Sequence, residues 1–353
     1  MSLSAKNIIT LLSLKGVGRT SVLQLAKYAE QNDCCAQSLS DYLHLISECR
    51  EKEGCRVDAE NISVSDLQEA ELKAEKIISK SQALGINIIS YSDENYPVKL
   101  KSIVSRKTSS KGKETIKDES PVILYYKGNN IERLNNVKSV AVIGTREPTP
   151  EGRTAGLFLS KEIAKQGINI VGGLAIGCDT FGHEGAIEAD GMTTAFLAHG
   201  LHTIYPKENE TLAQKIVESG GLLISEYPIG TEPYSPYFVE RDRLQSGISD
   251  ATIVVQTGIV GGTMHAVNAT LMNNKPLFAI EYTSDLVMRQ EKVLGNRKLI
   301  SEGKAHPVTS HSIQECIKII KGGNDVPSET QPSIQEEDEV KSSNDNGTQL
   351  TLW

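Results

Sequence analysis

The segment spanning residues 138–191 restricts the fold more than any other stretch of the chain. Ser139-Val140-Ala141-Val142-Ile143 is an almost unbroken apolar run that passes directly into Gly144-Thr145-Arg146 and a helical pattern. A second such run, residues 168–171, ends in Gly172-Gly173 and continues as Leu174-Ala175-Ile176-Gly177-Cys178-Asp179. Strands that are apolar on both faces belong to parallel sheets covered by helices on both sides. In such sheets the ligand sits beyond the carboxyl ends of the strands. Two glycine-bearing strand ends in succession therefore predict one binding crevice at that edge.

The alternation continues along the chain. Apolar runs at residues 140–143, 168–171, 194–197, 222–225, 251–255 and 276–280 are separated by helical spacing, which predicts an α/β fold with a doubly wound, mostly parallel sheet. Residues 86–91 and 121–128 read as two further strands. Between them, residues 103–120 are rich in Lys, Ser and Thr and read as an inserted mobile loop. Its cations Arg106, Lys107, Lys111, Lys113 and Lys117 face solvent or an anionic partner in this reading. Upstream, apolar residues at helical spacing predict a small helical domain over residues 1–84. Within it, Leu14-Lys15-Gly16-Val17-Gly18-Arg19-Thr20 looks like half of a helix-hairpin-helix element, whose glycines let backbone amides approach a DNA phosphate. The same residues also suit a tight turn between packed helices.

The formal net charge of −8 is unevenly distributed. From Gly323 onward, Asp325, Glu329, Glu336, Glu337, Asp338, Glu339 and Asp345 oppose Lys341 alone, a net −6 that leaves −2 for the rest. A near-neutral body permits a local basic crevice. The composition of residues 321–353 cannot bury enough apolar surface to offset ordering entropy, which predicts a disordered acidic tail. No stretch is apolar enough to span a bilayer, and the first residues lack a secretory pattern, so the expected location is cytoplasmic. Cys34, Cys35, Cys49, Cys55, Cys178 and Cys316 lack paired CxxC spacing and nearby His ligands, which argues for reduced thiols and no metal.

The turn Gly144-Thr145-Arg146 lacks the G-x-G-x-x-G spacing of dinucleotide sites, so neither NAD nor any other cofactor is expected. Free amides at a helix start and the Arg146 guanidinium instead form an anion receptor, unless Arg146 pairs with Glu151 or Glu162. Gly172-Gly173 supplies a second backbone wall. Asp179 and His183 invite acid–base work, but with no nucleophile beside them they read better as a helix cap and a loop-orienting group. Lys207 follows Tyr205-Pro206, Arg241 and Arg243 follow Phe238, and Gly261-Gly262-Thr263 opens another helix as a third wall. Four cations and three glycine walls on one edge suit several phosphates in a row. Phe238, Tyr237 and Tyr234 are candidates for stacking on bases, with core packing as their alternative.

In order, Gly-Thr-Arg, Gly-Gly-Leu-Ala-x-Gly-x-Asp-x-x-x-His, Tyr-Pro-x-x-Asn, Ser225-Glu226-Tyr227-Pro228, Phe-x-x-Arg-x-Arg and Gly295-Asn296-Arg297-Lys298-Leu299-Ile300-x-x-Gly303 resemble the DprA/Smf family of DNA-processing proteins across about residues 85–308. The resemblance implies an extended Rossmann-like fold over residues 85–320, single-stranded DNA binding, a homodimer, and loading of the RecA recombinase in natural transformation. It assigns Arg146 and Lys207 to gripping DNA, and matches Asn209, Arg241 and Arg243 to the motif positions. Asp242 stands where the family usually has Asn, and an acidic tail replaces its frequent winged-helix domain. A nucleotide sensor and a nucleotide phosphoribohydrolase of the Lonely-guy type remain alternatives. In the latter, Gly261-Gly262-Thr263-Met264-His265 lacks the carboxylate that would stabilise an oxocarbenium-like state. Finally, Gln349-Leu350-Thr351-Leu352-Trp353 is similar to the pentapeptides that hold the sliding clamp, with Gln349, Leu350, Leu352 and Trp353 as the contact residues.

Overall fold

The structure, a computed structural model, describes residues 3–108 and 114–323. The expectations for residues 324–353, including the peptide at Gln349, Leu350, Leu352 and Trp353, and those for Lys111 and Lys113, lie outside the described residues. Four helices, α1 (Ala5–Ser13), α2 (Arg19–Gln31), α3 (Leu39–Glu53) and α4 (Val64–Ala83), precede the first strand. The strands are β1 (Asn87–Ser90), β2 (Val104–Thr108), β3 (Glu114–Asp118), β4 (Ile123–Lys127), β5 (Ser139–Ile143), β6 (Asn169–Gly172), β7 (Thr193–Leu197), β8 (Leu222–Ser225), β9 (Ala251–Val254), β10 (Leu277–Ile280) and β11 (His306–Val308). From β5 onward they alternate with α5 (Pro150–Ala164), α6 (Cys178–Glu188), α7 (Glu210–Glu218), α8 (Ser235–Ile248), α9 (Thr263–Met272), α10 (Asp285–Met288), α11 (Leu294–Ser301) and α12 (Ile313–Ile320).

Nine strands form one sheet in the order β1-β4-β8-β7-β6-β5-β9-β10-β11, parallel from β8 to β11, with β4 and β1 antiparallel at one edge. β5 sits sixth of the nine, beside the middle strand β6, and its two faces show why an unbroken apolar run was needed. Val140 and Val142 enter the layer that holds α5 and α6, whereas Ala141 and Ile143 enter the opposite layer with α8 and α9. The chain adds β6, β7 and β8 on one side of β5, then returns to place β9 on the other side. The helices leaving β5 and β9 therefore cover opposite faces, and a gap opens between the two strand ends. The sequence placed the crevice at the β5 and β6 ends; the order reversal puts it at β5 and β9 instead.

The apolar core is continuous from α1–α4 into β1 and β4. Arg19 Nη1 donates to the Ser120 carbonyl at 3.1 Å and its other terminal nitrogen pairs with Glu119, while Lys27 pairs with Asp118. The Gly16-Val17-Gly18 turn thus joins two packed helices, with Val17 buried, and its Arg19 is held against the sheet domain. The expected loop at residues 103–120 needs correction. β2 and β3 form an antiparallel hairpin, docked on the end of α9 by reciprocal bonds between Val104 and Asn273. Two of its expected anion-contacting cations have partners within the chain: Arg106 Nε donates to the Met272 carbonyl, and Lys117 pairs with Glu119 at 3.0 Å. Among the described residues, no helix is long and apolar enough to cross a membrane.

Asn296, fully buried, sets the loop after β9. Its Nδ2 donates to the carbonyls of Val255 (2.9 Å) and Ile280 (3.0 Å), and its Oδ1 accepts from Thr257 N at 2.9 Å. Asn296→Ala leaves these buried groups unpaired and should lower unfolding free energy by roughly 3 kcal/mol, measured by urea denaturation.

Candidate nucleic-acid interface

A crevice of about 330 Å³ occupies the gap between the β5 and β9 ends. One wall is Gly144, Thr145 and Arg146, the other is the loop 257–263 with the start of α9, and Phe238, Arg241, Asp242 and Gln245 of α8 close the floor with Asp179 of α6. Gly261 has φ +144°, a region that disfavours side chains, and neither it nor Gly262 has a neighbour that a Cβ would meet. No side chain caps α9. The third glycine wall, Gly261-Gly262-Thr263, thus lies open on the crevice, with the positive end of a helix behind it.

The other two glycine walls serve packing. A methyl group on Gly173 would overlap Arg241 Nη1, and one on Gly172 would lie 2.8 Å from His183 Nε2. The Gly173 amide is already donated to Asp179 Oδ2 at 2.6 Å. At the β5 end, Thr145 N donates to the Gln256 carbonyl, Glu147 N to Thr145 Oγ1, Thr149 N to Gln256 Oε1, and Gly152 N to Thr149 Oγ1. Pro150, first in α5, has no N–H. The start of α5 is therefore sealed by Gln256 and Thr149, and the anion receptor expected there reduces to the Arg146 side chain. Gln256 carries no recognisable sequence signal, because one buried glutamine looks like any other polar residue.

The four expected cations separate into two pairs. Arg146 and Lys207 are exposed. The Arg146 guanidinium lies over the Phe238 ring at 5.8 Å, and Phe238 packs against Tyr205 at 5.6 Å, two residues before Lys207. Arg146, Phe238 and Tyr205 thus follow one another along the rim, whereas Lys207 lines a separate cavity with Lys127, His202, Ile204 and Glu210. Arg241, in contrast, is 5% exposed and donates Nη1 to the Phe196 carbonyl at 2.8 Å. Arg243 turns away from the crevice, paired with Glu226 at 2.6 Å and donating to the carbonyls of Glu119 and Glu240. Internal partners neutralise it. Asn209 is also buried and donates to the Leu174 carbonyl (2.9 Å) and Thr180 Oγ1 (3.0 Å). Tyr237 stacks on Tyr227 at 4.3 Å and meets Tyr234 edge-on, so it packs internally. Of the stacking candidates, Phe238 alone lines the crevice. Tyr205, its rim neighbour, is a further aromatic that in sequence reads only as part of a Tyr-Pro turn.

The floor of the crevice is acidic. Asp179 and Asp242 both line it. Burial raises the Asp179 pKa against the pull of Arg241, and burial pushes Asp242 up to about 7, opposed by Arg241 and reinforced by Asp179. Asp242 Oδ1 lies 3.3 Å from Arg241 Nε. His183 is held neutral, its pKa lowered to about 3 by burial and by Arg241, and its Nδ1 meets Thr193 Oγ1 at 2.7 Å. Asp179 ties down the Gly173 loop rather than its own helix. Burial pushes the Cys178 thiol up to about 12, which leaves it unreactive.

An open α/β sheet with a nucleotide-sized crevice at its switch point, rimmed by an exposed cation and aromatic rings, defines a Rossmann-like ligand-binding protein. The chain belongs to the DNA recombination-mediator protein A family, whose model matches residues 87–320, the DprA/Smf proteins of DNA processing. It is 33% identical over 208 residues to DNA processing protein DprA of Bacillus subtilis, covering 59% of this chain and 65% of that protein, just under two thirds of its length. Among solved structures, DprA of Streptococcus pneumoniae superposes with a TM-score of 0.67 at 26% identity, covering 90% of this chain and 98% of that one. DNA processing protein A of Helicobacter pylori, solved for its single-stranded DNA binding mode, gives 0.53 at 27% identity, covering 67% and 95%.

Gly173→Ala forces the buried Arg241 out of place and should cost at least about 3 kcal/mol in urea denaturation. Asp242 holds its proton in the folded state up to about pH 7, whereas an unfolded aspartate releases it near 4. The folded form therefore loses stability to this group as pH rises through that window. Asp242→Asn should raise the melting temperature, with a gain that is absent below about pH 4, grows as pH rises and levels off above about 7; a gain independent of pH would contradict the assignment.

Proposed function

We propose that the crevice and its rim bind single-stranded DNA. The observation that carries this reading is the Arg146–Phe238–Tyr205 row, with the open Gly261-Gly262 loop across the crevice and Lys207 two residues beyond Tyr205 in the chain. A cation beside two adjoining rings offers a contact for phosphate and faces for bases. The Helicobacter pylori relative, described by its single-stranded DNA binding mode, supports it. We read the site as a binder rather than an enzyme. The Asp179 carboxylate is engaged by the Gly173 amide, and His265 stands where a hydrolase of the Lonely-guy type would place a carboxylate. The partners that follow are RecA, to which the bound strand is handed in recombination or transformation, and a second copy of the chain as a homodimer. The sliding clamp is a third partner through the peptide at residues 349–353.

Arg146→Ala with Lys207→Ala should lower affinity for a dT oligomer at least tenfold at low salt. It should also reduce the slope of log affinity against log salt by roughly 1.4, about 0.7 for each phosphate that is no longer neutralised. Both side chains are exposed, so the unfolding free energy should stay within about 0.5 kcal/mol of the parent. Arg243→Ala should do the reverse, losing stability with the salt slope kept. A fluorescence-anisotropy titration in which the double variant keeps its slope would refute the site. Deleting residues 349–353 should abolish co-purification with the sliding clamp; equal recovery removes that partner.

A further inference from the structure

A second cavity, of about 570 Å³, lies where α7, the β8–β4 pair and the loop after β7 meet, and none of the residues that line it lines the crevice. Glu210, Ala213, Gln214, Val217 and Glu218 recur at i, i+3, i+4, i+7 and i+8, so one face of α7 forms a wall. Leu201, Ile204 and Leu223 add apolar surface. Lys127, the last residue of β4, stands opposite Leu223 in the ladder, so both side chains emerge on the same face of the sheet. Lys127 is half-buried, and its ammonium has no hydrogen-bond or ion-pair partner among the described residues. Burial lowers its pKa. Glu210 and Glu218, which also line the cavity, are exposed and do not offset that burial.

We propose that this cavity binds a small organic monoanion, a carboxylate or sulfonate carried on an apolar body, with Lys127 as its counter-ion. An ammonium that gives up water without gaining an acceptor is held at a cost, and an anionic oxygen set against it supplies the missing partner through a charge-assisted hydrogen bond. Leu201, Ile204, Val217 and Leu223 then cover the body of the ligand, in a space of the size that small-molecule sites have. The same lining selects against a polyanion. Further negative charges would meet Glu210 and Glu218, with Lys207 the one other lysine on the wall, and His202 is already turned to Glu232 at 3.4 Å. A nucleoside triphosphate or a nucleic-acid backbone is therefore the wrong ligand here. The site is separate from the crevice and stands whether or not a strand binds there.

The test compares two fluorescent probes that share one aromatic body, 1-anilinonaphthalene-8-sulfonate and its uncharged analogue N-phenyl-1-naphthylamine, each titrated into the full chain. The expected result is a saturable site that binds the sulfonate at least about tenfold tighter than the analogue. Lys127→Met keeps an apolar stem and removes the charge. In that variant, whose folding is checked by its melting curve, the ratio of the two affinities should fall to within about twofold. Lys127→Arg, which keeps the charge, should keep the parent ratio. Equal affinity of the parent for both probes, a ratio that survives Lys127→Met, or one that is lost equally in Lys127→Arg overturns the proposal. Absence of saturable binding of either probe overturns it as well.

Discussion

A guanidinium buried beneath the rim of a parallel sheet holds this site together. Arg241 reaches from α8 to the Phe196 carbonyl at the end of β7, fills the space left by Gly173 at the end of β6, and supplies the positive charge beside which Asp179 and Asp242 are tolerated. Removing one member of such a buried set leaves an uncompensated charge. Two strand ends, of β6 and β7, and two helices, α6 and α8, are thereby fixed relative to one another, and the crevice inherits its shape from that fixation. The exposed rim residues Arg146 and Tyr205 and the half-buried Phe238 stand over this floor.

Two further devices support the same edge. Gln256 closes the β5 turn through Thr145 and Thr149, and Asn296 closes the β9 turn through Thr257, Val255 and Ile280. Gln256 follows β9 and Asn296 sits on α11, and both are buried amides that meet backbone groups where these leave the sheet ladder and need new partners. Their effect is asymmetric. At β5 the Thr145, Glu147, Thr149 and Gly152 amides are engaged and the Arg146 side chain lines the crevice, whereas at β9 the glycine loop stays open. The helical amino-terminal region and the β2–β3 hairpin lie away from this edge and brace the β4 side and the end of α9 through Arg19, Lys27 and Asn273.

The strands were legible because burial on both faces leaves little freedom in composition: each predicted run from residues 140–143 to 276–280 lies within one or two residues of an observed strand. β11 was not, since three residues, His306–Val308, carry no pattern. The site was legible in its outer parts and misread in its inner ones. Arg146, Phe238 and Gly261-Gly262-Thr263 line the crevice, whereas Lys207, expected on the same edge, lines a separate cavity. Gly172, Gly173, Asn209, Arg241 and Arg243 do not face the open crevice as free binding groups. A glycine that admits a phosphate and one that admits a neighbouring arginine look the same in sequence, and an arginine spacing of two on a helix turns the side chains some 200° apart. The hairpin at residues 104–118 was hidden because polar edge strands lack an apolar period.

The central claim is that a single strand lies along the rim from Arg146 across Phe238 and Tyr205 towards Lys207. Photo-crosslinking a dT oligomer bearing 5-iodouracil, followed by mass spectrometry of the peptides, tests this most directly. The account predicts adducts on Phe238 or Tyr205. Adducts confined to the opposite surface around Arg19, Glu119 and Arg243, with none on the rim, would contradict it.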